Sequence, residues 1–149
     1  MSPITQTPIP LSDEWATPKW LFDHFDAEFH FTLDGAAQSW NAKCARFCSP
    51  DDHGPAWSGE VVWLNPPYSE LGAWMWKAGL AARRIKATVV CLVPCVPDRK
   101  WWSEHVEGKA EVRHLTRSLL PTGRIHFEKE DGTSGRAPFA SCLVIYKPA

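Results

Sequence analysis

Residues 60–94 read EVVWLNPPYSELGAWMWKAGLAARRIKATVVCLVP, and three patterns follow one another within them. Glu60 to Asn65 is an apolar run of strand length that stops at an amide. From Leu71 onward, Leu71, Trp74, Met75, Ala78, Ala82 and Ile85 recur at the spacing of one buried helical stripe. Ser69 is placed to cap that helix, and Arg83, Arg84 and Lys86 close it where the helix dipole favours cations. Ala87 to Pro94 is then continuously apolar, which predicts a central strand of a parallel sheet covered on both faces. Strand, helix, strand is the unit of a layered α/β sheet.

The flanking segments extend that unit. Upstream, Thr17 is placed as a cap and Pro18 at the first helical position before Leu21, Phe22 and Phe25 at helical spacing. A short strand ending in Asp34 follows, and Gly35, Ala36 and Ala37 let the backbone turn tightly there. Ser39 to Gly59 reads as mostly loop, with a short helix around Trp40 to Ala45. Downstream, RKWWSEHVEG is a short helix ended by Gly108, and AEVRHL alternates like a strand. GRIHFE and FASCLVIYK read as two strands joined by a turn-rich loop. The expected architecture is α/β, a mostly parallel central sheet ending in a C-terminal antiparallel hairpin. Residues 1–12, with Pro3, Pro8 and Pro10, form an extended arm, and residues 13–149 form one domain.

Composition narrows the function classes. The 149 residues carry 16 Lys+Arg against 17 Asp+Glu, so any polyanion-binding surface must be a local patch. No stretch approaches the roughly 20 apolar residues of a membrane span, and the N-terminus lacks an export signal, so a cytoplasmic protein with no membrane partner is expected. The five cysteines then read as reduced thiols. Neither their spacing nor that of the six histidines resembles a metal site, and none is assigned. Most of the nine tryptophans read as core.

The chemistry concentrates at Asn65-Pro66-Pro67-Tyr68. Ligands of open α/β sheets bind beyond the carboxyl ends of strands, at a point where strand order reverses, and Asp34-Gly35 and this tetrapeptide are both expected there. The prolines lack N–H groups, so the turn is rigid and rich in acceptors. The Asn65 side-chain oxygen and the Pro66 carbonyl can each take one N–H of a planar amine, with Tyr68 over its plane. Two acceptors draw the amine lone pair out of conjugation, and a positioned electrophilic methyl could be transferred to it. The plainer alternative is a Pro-Pro turn followed by a surface tyrosine.

This tetrapeptide after an apolar strand resembles the catalytic motif of amino-group methyltransferases that use S-adenosylmethionine. Over a longer span, DEWATPKWLFDHFDAEFHFTLDGAAQSWNAKCARF, WSGEVVWLNPPYSELGAWMWKA, VVCLVP, GRIHFE and APFASCLVIY resemble, in order, the phage-encoded Dam-type N6-adenine methyltransferases. The resemblance implies a Rossmann-like methyltransferase core, S-adenosylmethionine as methyl donor, adenine in double-stranded DNA as acceptor, and a phage or prophage origin. It implies that Asn65 and Pro66 hold the amine, that Tyr68 stacks on the extruded base, and that Asp34, Gly35 and Ala36 lie against the cofactor with Thr17 and Pro18 bordering it. Asp51 or Asp52 is the candidate for the cofactor ribose, against a reading as solvated loop carboxylates. Arg99, Lys100, Arg124 and Arg136 are candidate phosphate contacts, or ordinary solvated surface, and Trp101 and Trp102 are either core or a wedge into DNA. Two competing readings stand beside this one: methylation of another planar amine, in a protein glutamine or an RNA base, and a DNA-binding module without catalysis.

Overall fold

A computed structural model of the protein describes residues 16–49 and 55–148. The arm expected over residues 1–12, and Asp51 and Asp52, lie outside the described residues. Helix α1 (Lys19–Phe29) leads into β1 (Leu33–Asp34), and β2 (Val61–Leu64), α2 (Leu71–Ile85) and β3 (Thr88–Pro94) follow. Next come α3 (Lys100–His105), β4 (Glu111–His114), β5 (His126–Glu128), β6 (Ser134–Arg136) and β7 (Ser141–Tyr146).

The main sheet has the order β1-β2-β3-β7-β4. β1, β2 and β3 are mutually parallel, whereas β7 runs antiparallel to both of its neighbours, β3 and β4. The apolar run of β3 therefore lies at the centre, as its composition predicts. Side chains alternate between two layers, as the two-residue period of a strand requires. Val62, Leu64, Val89, Cys91, Val93, Cys142 and Val144 pack with α2 and α3 on one face. Trp63, Val90, Leu92, Leu143 and Ile145 pack with Leu21, Phe22 and Phe25 of α1 and with Leu115, Leu120 and Ile125 on the other.

Four expectations are corrected. GRIHFE does not pair with FASCLVIYK: β5 pairs with β6 in a separate two-stranded ribbon, and β7 enters the main sheet. The reason lies in the two segments themselves. Asp131-Gly132 closes a tight turn, with Gly132 at φ 88° and the Lys129 N–H donating to the Thr133 carbonyl at 2.9 Å, which is ordinary hairpin chemistry. β7 is buried at every position, so it belongs in an interior slot covered on both faces. Second, no helix forms over Trp40 to Ala45. Local side-chain acceptors capture the backbone instead: Asn41 Oδ1 takes the Gln38 N–H at 2.8 Å and Asp34 Oδ2 takes the Lys43 N–H at 2.9 Å, a competition that disfavours helix.

Third, neither expected cap forms as a side-chain cap. Pro18 is itself the N-cap of α1, its carbonyl accepting from Leu21 and Phe22, and Thr17 bonds elsewhere. Ser69 lies inside a 3-10 turn, Tyr68–Glu70, that precedes α2. Fourth, β1, β2 and β3 are neighbours in chain order, so the order does not reverse between Asp34 and Asn65. Both residues nevertheless leave the sheet at one edge, because β1 and β2 are parallel with Asp34 opposite Trp63.

Of the tryptophans, Trp57, Trp63, Trp74 and Trp102 are buried, Trp101 packs half-buried on the same core, and Trp20 and Trp76 are exposed. Trp102 is thus core rather than wedge. All five cysteines are free thiols. Among the described residues no helix is long and apolar enough to cross a membrane.

Gly35 shows how tightly the β1 end is built. A Cβ there would stand 2.7 Å from Val62 Cγ1 and 2.8 Å from Trp57 Cζ2. Gly35→Ala is expected to destabilise the protein by about 1–3 kcal/mol through overpacking. A urea midpoint equal to that of the wild type would refute this account of the glycine.

Candidate active site

The site is assembled where β1 and β2 end. Asp34 is buried, and both of its carboxylate oxygens are turned onto the loop that follows: Oδ1 accepts from the Ala36 N–H at 3.3 Å and Oδ2 from the Lys43 N–H at 2.9 Å. Its backbone is held by the returning chain, donating to the Arg46 carbonyl at 3.0 Å and accepting from the Cys48 N–H at 2.9 Å. Gly35 donates to the Trp63 carbonyl at 2.8 Å, which fastens the turn to β2.

Burial raises the Asp34 carboxyl above its ordinary value, and the N–H groups of Lys43 and Ala36 oppose that rise. Burial likewise lowers the Lys43 amine, with the Asp34 charge opposing it. The Cys44 thiol is pushed up to about 12, by burial first and by the neighbouring Asp34 second. Cys44 is therefore an inert thiol rather than a nucleophile.

At the end of β2, the Asn65 Nδ2 donates to Thr17 Oγ1 at 3.2 Å. Thr17 and Pro66 are buried, and Asn65 is half-buried. An amide whose nitrogen is pinned on one branch presents its oxygen on the other, so Thr17 sets the direction in which Asn65 accepts. Thr17 is in turn held by its neighbour: Ala16 and Glu128 exchange backbone hydrogen bonds of 2.7 and 2.9 Å, which join the chain ahead of α1 to the β5–β6 ribbon.

Tyr68 opens the 3-10 turn after Pro67. Its hydroxyl donates to the Leu92 carbonyl of β3 at 3.2 Å. Its ring meets Phe127 edge-on at 6.4 Å and Phe139 at 5.7 Å. Burial drives the phenol well above its usual value, so it remains protonated and offers no base.

Residues far apart in sequence thus converge: Thr17, Asp34, Gly35, Asn65, Pro66 and Tyr68 share one end of the sheet. Pro18 begins α1 beside Thr17, and Ala36 is half-buried next to Asp34. Arg99 and Lys100 are exposed at the amino end of α3. Arg124 instead lines a cleft with Arg117 and Arg136. Among the described residues no group of three or more His, Cys, Asp or Glu side chains is placed to hold a metal.

Sequence reasoning placed Thr17 at the cofactor border but gave no sign of its bond to Asn65, and it marked neither Lys43 nor Trp57. Lys43 offers no signal, since its proximity to Asp34 depends on an irregular loop. Trp57, beneath Gly35, is one of many apolar residues and nothing in its neighbours marks it.

Comparison with known proteins gives the chain's family. Residues 4–149 match the family model of the DNA N-6-adenine-methyltransferases (Dam). The chain is 32% identical over 113 residues to a DNA N-6-adenine-methyltransferase of Haemophilus phage HP1, covering 73% of this chain and 65% of the relative. It is 30% identical over 145 residues to a DNA N-6-adenine-methyltransferase of Escherichia phage T1, covering 92% of this chain and 58% of that relative. In both cases the match spans less than two thirds of the relative's length. With a match that runs through every element of the main sheet and both halves of the site, this chain belongs to the Dam family of DNA N-6-adenine-methyltransferases.

Proposed function

We propose that the chain is a site-specific DNA adenine methyltransferase that transfers a methyl group from S-adenosylmethionine to the exocyclic amine of a flipped adenine. It would do so from a single Rossmann-like domain over residues 13–149, acting on double-stranded DNA in the bacterial cytoplasm. The observation that carries this reading is the Thr17–Asn65 hydrogen bond, because it commits the Asn65 amide oxygen to accepting. Family membership supports the same reaction.

The amine of a paired adenine faces its partner base, so the base must leave the stack before Asn65 can reach it. Asn65 Oδ1 and the Pro66 carbonyl then take its two hydrogens, and the Tyr68 ring lies over its plane. Phe127 and Phe139 back that ring, and the bond to Leu92 fixes its height. The groups at the β1 end fit the cofactor. Gly35 has no room for a side chain of its own, Ala36 adds only a methyl group, and the Asp34 carboxylate stabilises the turn from within. Gly35, Ala36, Thr17 and Pro18 would hold it, with Asp52 on the ribose hydroxyls. When bound, it supplies an electrophilic methyl carbon on sulfur. As the new C–N bond forms and the methyl–sulfur bond breaks, leaving a neutral thioether, the amine nitrogen becomes positively charged and one of its protons must leave. Neither the Asn65 amide nor the protonated Tyr68 phenol can take it, so it departs to water.

Incubation of purified protein with labelled S-adenosylmethionine and phage or plasmid DNA tests this directly. Folded protein that makes no methyl-adenine at high concentration would sink the reading, and label appearing in RNA or protein instead would favour another planar amine. Thr17→Val keeps the shape of the side chain and removes the acceptor. It is expected to lower turnover about 10–100-fold by misdirecting Asn65, while cofactor affinity by calorimetry stays within about twofold. Unchanged turnover would remove Thr17 from the site.

A further inference from the structure

A cleft of about 570 Å³ lies beside the site, between the segment after β4 and the end of β6. Arg117 and Arg124 line it from one wall and Arg136 from the other, with Thr116 and Thr122 between them and no carboxylate in the lining. Three like charges thus converge in a chain whose formal net charge is -1. Among the described residues none of the three is in an ion pair, whereas Arg46 and Arg113 both are.

The walls are rigid. Leu115, Leu120 and Ile125 are buried beneath them, Leu115 donates to the Ser141 carbonyl at 3.1 Å, and Ala137 donates to the Ile125 carbonyl at 2.8 Å. Gly123 turns the chain at φ 78° between the arginine-bearing stretches, a conformation other residues rarely adopt. The far wall runs on to Phe139, whose ring lies 5.7 Å from that of Tyr68. Like charges held together on a fixed frame, without counter-charges, cost stability unless an anion joins them. Guanidinium forks match phosphate oxygens in a bidentate manner.

We propose that this cleft grips the phosphodiester backbone of the DNA next to the flipped adenine, with Arg117, Arg124 and Arg136 each neutralising a phosphate. The inference rests on the DNA-methyltransferase reading and adds the place where the strand is held. It assigns the backbone to this cleft rather than to Arg99 and Lys100. The recognition is of charge, so it is indifferent to sequence.

The test is binding of the full chain to a short labelled duplex of mixed sequence, measured by anisotropy over a range of salt concentrations. Each released phosphate contact contributes about 0.9 to the slope of log K against log salt. Arg117→Gln, Arg124→Gln and Arg136→Gln are each expected to flatten that slope by about 1, and the triple variant by about 3. The triple Arg→Lys variant keeps the charge and is expected to keep most of the slope; it also shows that substitution here leaves the fold intact. Three results would overturn the proposal: a wild-type slope in the triple Gln variant, loss in the Lys variant equal to that in the Gln variant, or loss confined to Arg99→Gln and Lys100→Gln. Methyl transfer is scored separately. Wild-type protein that methylates DNA while the triple Gln variant keeps its slope refutes the cleft alone. Wild-type protein whose salt-dependent binding needs the arginines but which makes no methyl-adenine refutes the catalytic reading alone.

Discussion

Asn65→Ala is expected to lower the rate of methyl transfer about 10²–10³-fold at saturating DNA and cofactor, with cofactor affinity unchanged. The size follows from what is lost. On the proposed reading, Asn65 offers one acceptor, directed by Thr17, to an amine that gains positive charge as its new bond forms. A preorganised partner of that kind is worth about 10²–10³ in rate when deleted from other sites of developing charge. The loss falls on turnover because the interaction strengthens towards the transition state. Asn65→Asp probes the same point differently: it retains an acceptor but loses the donor to Thr17, so its oxygens are no longer held apart by role. It is expected to lie between Ala and wild type. Single-turnover assays with labelled cofactor read both variants. An Asn65→Ala enzyme within threefold of wild type would show that the amine is held elsewhere.

The parts of this molecule that sequence made legible are those set by periodicity. The α2 stripe and the continuous apolar run of β3 each have one physical solution, a helix on a sheet and a strand covered on both faces, and both form as expected. The location of Asp34 and Asn65 at one edge was legible for the same reason, since parallel strands end together. Pairing partners were not. His126–Glu128 and Ser141–Tyr146 both read as strands, but which strand joins which depends on the competition between a short-range turn at Asp131-Gly132 and an interior slot between β3 and β4. Burial at every position of β7 decides it.

The side-chain roles divide in the same way. Asn65, Pro66 and Tyr68 are marked by residue types that an ordinary turn would not use. Thr17 and Lys43 act through contacts across 48 and 9 residues of sequence, and their types are common. The Asp34 role also became sharper. A strand ending in acid and glycine suggests a carboxylate facing a ligand, whereas both oxygens here accept backbone N–H groups of the loop that follows. The acid shapes the turn rather than presenting its charge.

That distinction has a measurable consequence. Asp34→Ala leaves the Ala36 and Lys43 N–H groups without their acceptor in a largely buried place, at a cost of about 1–3 kcal/mol. The loop from Ala36 to Lys43 then loses its tie to β1, and cofactor affinity is expected to fall about tenfold or more because the loop must be ordered on binding. Asp34→Asn keeps one acceptor and should fall between. The pH dependence separates an inward carboxylate from one facing solvent. Burial raises the folded carboxyl above its ordinary value of 3.8, so the folded protein binds the proton more tightly than the unfolded chain does. Across the window from that value up to the raised one, folding takes up a proton, and the contribution of Asp34 to stability falls as pH rises before levelling off. Asn does not titrate. The difference in urea midpoint between wild type and Asp34→Asn should therefore favour the wild type most at the acid end of the window and shift against it as pH rises. A difference that stays constant would mean that folding leaves the carboxyl's proton affinity unchanged, as for an exposed acid, and one that moves the other way would mean that the fold stabilises the carboxylate in its charged form.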